Sequence, residues 1–277
     1  MIKVVLLGAN GSMGKLVGRL AIDDPEIDLV GAFDVNEIGR ECAAIVGSSS
    51  PCGIVIQHPD ELDSFLQNVA PDVAVDFTIA EAAEKNCIKL ADKGIKSVVG
   101  TTGLSEQFLK EFESKIVQNK APAVISSNMA TGVNIFFKIA PLLASYLEDW
   151  DIEIIEAHHH RKRDSPSGTA LTIAKVIADA LGVKLEDVAK FGRDKGPNKR
   201  EVGAKKEIGV HAIRGGDIVG DHTILFAGPG ERIEFKHQAH SRECLANGAI
   251  TAIKFLNKVD REDAKIYTTQ EVLGLID

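Results

Sequence analysis

The chain has 277 residues, 44% hydrophobic and 26% charged, enough ordinary globular material for one large domain or two modest ones. Its formal net charge of -8 at pH 7 excludes a surface given over to nucleic acid or to anionic lipid. No apolar run approaches the roughly 20 residues that a membrane-spanning helix needs, and the N-terminal M-I-K-V-V-L-L-G is too short for a signal peptide. 

In chain order, residues 2–7 form an aliphatic, β-branched run that stops at a glycine-rich turn. Residues 15–22 then carry Leu16, Val17 and Leu20 at helical spacing, and residues 29–33 read as a second strand ending on Asp34. Strand-like runs at 73–77, 95–99 and 123–125 alternate with helical ones at 81–93 and 105–118, which predicts parallel βαβ units and a sheet covered on both faces. Near residue 127 the rhythm changes. A longer helix at 132–147 leads into the alternating strand D-I-E-I-I-E-A, where Asp151 and Glu153 oppose Ile152 and Ile154. A helix at 168–181 follows. Residues 208–235 are strand-like and punctuated at Gly215-Gly216, Gly220 and Gly228-Pro229-Gly230, which predicts an antiparallel or mixed sheet. A last helix, 247–256, can return to the first domain. The four cysteines (Cys42, Cys52, Cys87, Cys244) are scattered without a C-x-x-C pair, as expected for a chain in a reducing cytoplasm with neither disulfides nor a zinc cage.

The first turn carries chemistry. G8-A-N-G-S-M-G14 lies between a strand and a helix, where glycines let the backbone approach a pyrophosphate whose charge rests on the helix N-terminus. Gly8, Ala9, Asn10, Gly11, Ser12 and Met13 are therefore candidate cofactor residues. The spacing is G-x-x-G-x-x-G, with Asn10 at the usual second glycine, a residue that tolerates left-handed backbone well. Asp34 lies 20 residues beyond Gly14 and can accept hydrogen bonds from ribose hydroxyls while repelling a 2′-phosphate. Val35 follows it where a cation would suit NADP, so NADH is favoured, with Arg40 near enough to keep NADPH in play. Two further loops at strand ends, V98-V-G-T-T-G103 and I125-S-S-N-M129, add Gly100, Thr101, Thr102, Ser126, Ser127, Asn128 and Met129 to the candidate cofactor set. The fold expected is α/β: a Rossmann dinucleotide-binding domain over 1–127, completed by 238–277, with a second α+β mixed-sheet domain over 128–237 for substrate.

The stretch E156-A-H-H-H-R-K-R-D-S-P-S-G-T-A170 admits three readings. A metal site is poorly served, because His158 and His160 alternate with His159 along an extended chain, no partner ligands complete a shell, and Arg161, Lys162 and Arg163 repel a cation. Nucleic acid is poorly served too, since the basic run lacks interleaved aromatics in an acidic protein. A second basic segment (Lys190, Arg193, Lys195, Lys199, Arg200, Lys205 and Lys206) reads as a solvated loop or an anion-steering, closing segment. The third reading fits: Pro166 and Ser167 enter a helix whose Gly168 and Thr169 amides suit a carboxylate, beside a histidine and lysine cluster. That chemistry predicts a small dicarboxylate presented to a nicotinamide.

These residues resemble the E-x-H-H-x-x-K-x-D-x-P-S-G-T-A signature of the 4-hydroxy-tetrahydrodipicolinate reductase (dihydrodipicolinate reductase) family. G-A-N-G-S-M-G, D76-F-T, V-G-T-T-G, S-S-N-M-A-T-G-V-N and R214-G-G-D-I-V-G-D-H-T fall in the family's order, so the resemblance covers nearly the whole chain. It implies NADH- or NADPH-dependent reduction of a cyclic dicarboxylate to tetrahydrodipicolinate with loss of water, in lysine and diaminopimelate synthesis. By position it implies His158 as acid/base, Lys162 as proton donor, His159 as a substrate ligand, and Gly168 with Thr169 as the carboxylate-binding amides. It also implies a homotetramer joined through the second domains, while the residues themselves speak against metal, nucleic acid or membrane partners. Another nicotinamide-dependent dehydrogenase of a small carboxylate, or a catalytically silent NAD-binding regulator, remains the alternative.

Overall fold

The aliphatic N-terminal run forms β1 (Ile2–Leu7), and the glycine turn releases the chain into α1 (Ser12–Asp23). There follow β2 (Ile27–Phe33), α2 (Cys42–Val46), β3 (Ile56–Gln57), α3 (Leu62–Asn68), β4 (Val73–Asp76), α4 (Ala80–Asp92), β5 (Lys96–Val99), α5 (Glu106–Asn119) and β6 (Ala123–Ile125). The structure, a computed structural model, describes residues 1–200 and 207–276. By contacts it divides into two units, Met1–Thr131 with Arg242–Asp277, and Gly132–Ser241.

The second unit is built from α6 (Thr131–Tyr146), β7 (Asp151–His158), α7 (Gly168–Ala180), α8 (Leu185–Val188), β8 (Ala189–Phe191), β9 (Ile208–Arg214), β10 (Gly220–Gly228) and β11 (Glu231–Ala239). Its sheet runs β11-β10-β7-β9-β8 and is mixed: β10 pairs antiparallel with β7 and β11, while β9 runs parallel to β7 and β8. Alternation along β7 decides which side chains go inward. Ile152 and Ile154 pack under α6 and α7 with Phe136, Ala140, Ile173 and Ile177, and Glu156 and His158 continue the same buried row.

The chain then returns to the first unit through α9 (Glu243–Lys258), β12 (Ile266–Tyr267) and α10 (Thr269–Val272). The completed sheet runs β12-β6-β5-β4-β1-β2-β3, and every pairing in it is parallel. Both faces are covered, as the near-continuous apolar strands require. Val4 and Leu6 of β1 enter one core with Val17, Ala249 and Ile253, and Val5 and Leu7 enter another with Leu62, Leu66 and Leu90. Burying each such aliphatic side chain contributes roughly 1.5–3 kcal/mol relative to leaving it in water. Strand order reverses between β1 and β4, so their carboxyl ends frame the crevice where open α/β sheets take ligands.

The strands at 73–77 and 95–99 are each one residue shorter than their apolar runs, and β2 begins two residues earlier than Leu29. Sequence periodicity does not register α2, β3, α3, α8, β8, β12 or α10. Each is seven residues or fewer, too short to display a period.

Candidate functional site

The first unit builds its site from backbone. Gly8 adopts φ +85°, and a Cβ there would lie 2.7 Å from the Phe77 carbonyl oxygen. At Gly14 a Cβ would run into the Gly8 carbonyl, so this glycine is what lets α1 start directly against the loop. Gly11 is the N-cap of α1 and no side chain caps the helix, which leaves its first turn open to a guest anion. Asp34 ties β2 to the loop: its Oδ2 accepts the Asn10 N–H at 2.9 Å and its Oδ1 the Asn36 N–H at 3.0 Å. A cleft of about 450 Å³ opens here, lined by Gly8, Asn10, Gly11, Asp34, Val35, Thr78 and Ile79 among others. Ala9 is buried beneath the loop, Met13 half-buried against the core, and Ser12 exposed at its rim.

The neighbouring loops depend on a residue to which the sequence reading gives no role. Asp76, at the end of β4, is fully buried. Its Oδ1 accepts the Thr78 N–H at 2.9 Å, the Thr78 hydroxyl at 2.7 Å and the Thr101 hydroxyl at 3.0 Å, and its Oδ2 accepts the Asn86 amide at 2.9 Å. A carboxylate ending an otherwise apolar strand, V-A-V-D, is the signal that could have marked it. Thr101 thus turns its hydroxyl inward, Thr102 is exposed, and Gly100 leaves no room for a Cβ beside the Phe77 ring. In the loop after β6, the Ser126 hydroxyl donates to the Asn128 carbonyl at 2.9 Å and Ser127 is exposed. Met129 is buried in the core, so that residue can offer a ligand only its backbone. Open amides at a helix start, a crevice at the switch point and a carboxylate on the adjoining strand together fit a dinucleotide.

The second unit builds its site from charged side chains. His158 closes β7, 9% exposed, with its Nδ1 2.6 Å from Glu156 Oε2. Glu156 has no exposed surface. Arg214 on β9 grips it with a two-pronged fork, Nη1 to Oε2 and Nη2 to Oε1, both at 2.8 Å, and the Ser167 N–H adds 2.9 Å to Oε1. Burial pushes the Glu156 carboxyl up, but Arg214, His158 and the Ser167 amide outweigh it and hold the group below the usual carboxylate range. The same pairing raises Arg214. A further Arg214 bond, Nη2 to the Asp164 carbonyl at 2.6 Å, anchors the loop that leads into α7.

Ser167 caps α7, its hydroxyl oxygen accepting the Ala170 N–H at 3.2 Å and lying 3.1 Å from Nε2 of His222. Burial, and then the neighbouring His158, push His222 down to about 4, so this histidine is neutral at ordinary pH. Gly168 is exposed with open space where a Cβ would stand, and Thr169 is half-buried. No acidic side chain occupies the first turn of α7. Lys162 does not sit among cations alone: its Nζ pairs with Asp164 at 2.8 Å. Lys162, and in smaller part the Gly168 N–H, hold the Asp164 carboxyl below its usual range. His159 and His160 leave the strand, their N–H groups donating to the carbonyls of Ile218 (2.7 Å) and Gly216 (3.2 Å), so the alternation expected across the three histidines ends at His158. Arg161 pairs with Asp217 at 3.0 Å. Among the described residues no group of three or more His, Cys, Asp or Glu side chains could hold a metal ion, and no helix is long and apolar enough to cross a membrane. In the second basic segment, Arg193 and Arg200 are committed to Glu153 at 2.9 and 2.7 Å, while Lys205 and Lys206 lie outside the described residues.

Comparison with known proteins reaches both units. The family described as dihydrodipicolinate reductase, N-terminus, matches residues 2–129, and dihydrodipicolinate reductase, C-terminus, matches residues 132–273. A 4-hydroxy-tetrahydrodipicolinate reductase of Methanocaldococcus jannaschii is 45% identical over 99% of this chain and 98% of its own length. One from Methanosarcina acetivorans is 44% identical over 99% of this chain and its whole length. Among solved structures, a dipicolinate-bound dihydrodipicolinate reductase from Paenisporosarcina sp. TG-14 superposes with TM-score 0.76 at 25% identity, covering 98% of each chain.

Proposed function

The chain belongs to the dihydrodipicolinate reductase family and catalyses the NAD(P)H-dependent reduction of 4-hydroxy-tetrahydrodipicolinate; from that premise we propose how its residues divide the work. The bound nicotinamide nucleotide supplies the hydride. In the first unit, the backbone from Gly8 to Met13 and the open start of α1 would hold the pyrophosphate, and Asp34 the adenosine ribose. Gly100 to Thr102 and Ser126 to Met129 would serve the nicotinamide end, with Asp76 setting the shape of the first of these loops. NADH is the favoured cofactor. Asp34 would repel a 2′-phosphate, Val35 brings no charge, and Arg40, the nearby cation, is paired with Glu37 at 2.6 Å.

In the second unit Lys162, His159 and the Gly168 and Thr169 amides would bind the substrate's carboxylates. Reduction of an α,β-unsaturated imine leaves electron density that needs a proton; Lys162 would deliver it, with His158 as the acid/base partner. One observation carries this reading: Asp164 already places a carboxylate against the Lys162 ammonium and the Gly168 amide, the contacts a substrate carboxylate would take over. The solved relative holds a dicarboxylate, dipicolinate, as its bound ligand, which agrees with that chemistry.

A homotetramer is supported by the sheet of the second unit. Helices cover one of its faces, while Ile155, Ile213 and Leu225 lie on the other, and Ile213 is 50% exposed. Four free thiols suit the reducing cytoplasm proposed as its compartment. The decisive assay follows NADH absorbance with substrate made freshly from pyruvate and aspartate semialdehyde by the preceding synthase. Substrate-dependent oxidation, with kcat/KM higher for NADH than for NADPH, is the expected result. Absence of oxidation with either nucleotide would refute the assignment.

A further inference from the structure

We infer that Glu156 is a positioning residue for this reaction: one buried carboxylate fixes the tautomer of His158 while anchoring the start of the helix that receives the substrate. The inference rests on the acid/base role proposed for His158 and deepens it. Glu156 is no part of the substrate's first contacts, since nothing of it reaches the surface.

The two oxygens are used differently. Oε2 stands 2.6 Å from His158 Nδ1, so Nδ1 carries the proton in the neutral ring and Nε2 is left as the exchanging nitrogen. Position 220 on β10 agrees with that division. A Cβ there would come within 3.1 Å of Nε2, so Gly220 spares that nitrogen a side-chain contact. Oε1 takes the Ser167 N–H, and Ser167 in turn caps α7, so the proton-exchanging ring and the amides of Gly168 and Thr169 hang from a single side chain. Arg214 grips both oxygens and keeps the group ionised. A buried ion pair is weak support for stability, so a carboxylate and guanidinium locked here are better explained by the histidine they orient.

The groups facing this carboxylate come from every neighbouring strand. Arg214 approaches from β9. His222 approaches from β10, with its cross-strand partner His237 on β11, and burial lowers the proton affinity of both. The loop before α7 contributes Asp164 and Lys162, which pair with each other. When His158 takes up its proton, Glu156 is therefore the anion that meets it.

Glu156→Gln keeps the shape and removes the charge. In it, kcat is expected to fall roughly 10–100-fold with the KM for NADH held within about twofold. The His158 ring, followed by long-range proton–nitrogen NMR and identified by its loss in His158→Asn, is expected to lose its single Nδ1–H tautomer. Glu156→Asp, which restores the charge, recovers part of both losses. A folded Glu156→Gln enzyme with an unchanged His158 tautomer and full kcat overturns the inference. Should that variant not fold, long-range proton–nitrogen spectra of the wild type decide: neutral His158 protonated on Nδ1 supports the account, and protonated on Nε2 contradicts it. These spectra need no turnover. A wild type that fails to oxidise NADH would therefore sink the reductase assignment while the Glu156–His158 coupling is still tested.

Discussion

The glycine loop of the first unit and the Glu156 cluster of the second both prepare a place for negative charge, but they do so with different materials. At the loop the donors are backbone amides, and the side chains present are mostly absent ones: a Cβ at Gly8 or Gly14 would fill the space the turn needs. At the cluster ionised side chains join the helix-start amides, arranged around a carboxylate with no exposed surface. A backbone cradle depends on steric room and is little affected by pH. A side-chain cluster depends on protonation, and its geometry fails when one charge is lost. The difference suits a division of labour in which one unit binds a nucleotide and the other manages protons.

The largest expected effect strikes the side-chain site alone. Lys162→Ala should lower kcat by roughly 10²–10⁴-fold, the range for a lost proton donor, and leave the NADH Kd from fluorescence titration within about twofold. If NADH binding weakens instead, Lys162 belongs to the nucleotide and the two sites are not separable. Next comes pH. His222 is pushed from 6.5 to about 4, so between those values the unfolded chain binds the proton that the folded chain refuses, and stability falls as pH drops through this window. The span corresponds to roughly 3 kcal/mol. Urea unfolding at pH 7 and pH 4 should show His222→Gln losing less stability on acidification than the wild type by about that amount. Equal losses would mean His222 is protonated in the fold.

A smaller effect should strike the backbone site alone. Gly14→Ala forces a Cβ against the Gly8 carbonyl, an overpacking cost of about 1–3 kcal/mol that should raise the NADH Kd roughly 5–150-fold. The His158 tautomer should not change. Smallest is the choice of nucleotide: Asp34→Ala should shift the NADH-to-NADPH ratio of kcat/KM about tenfold toward NADPH, and an unchanged ratio would remove Asp34 from the selectivity.

The same contrast explains what the sequence disclosed. The strand, glycines and Asp34 of the first unit are local in the chain, within 34 residues, and each glycine marks a steric demand. Lys162 and Ser-Pro-Ser-Gly-Thr are equally local. What holds them is not. Arg214 and His222 lie 58 and 55 residues from Glu156 and Ser167, and join them only because β9 and β10 flank β7. Glu156 was visible as a letter of the signature, but an alternating strand gives no reason to expect a carboxylate on its buried face. Asp76 was likewise visible as a letter of D76-F-T but not as a hub, since its four donors come from three separate segments. The pairing of Lys162 with Asp164 reverses the impression left by three consecutive basic residues, because a chain read as a string does not say which neighbour a long side chain meets.

This chain reduces a cyclic dicarboxylate with a nicotinamide hydride. The direct test is to run the reaction with NADH deuterated at the transferring position and to analyse the product by mass spectrometry and NMR. One deuterium on a ring carbon of tetrahydrodipicolinate, formed as NADH absorbance falls, is the result expected. Product without label, or no consumption of NADH while fresh substrate is present, would contradict it.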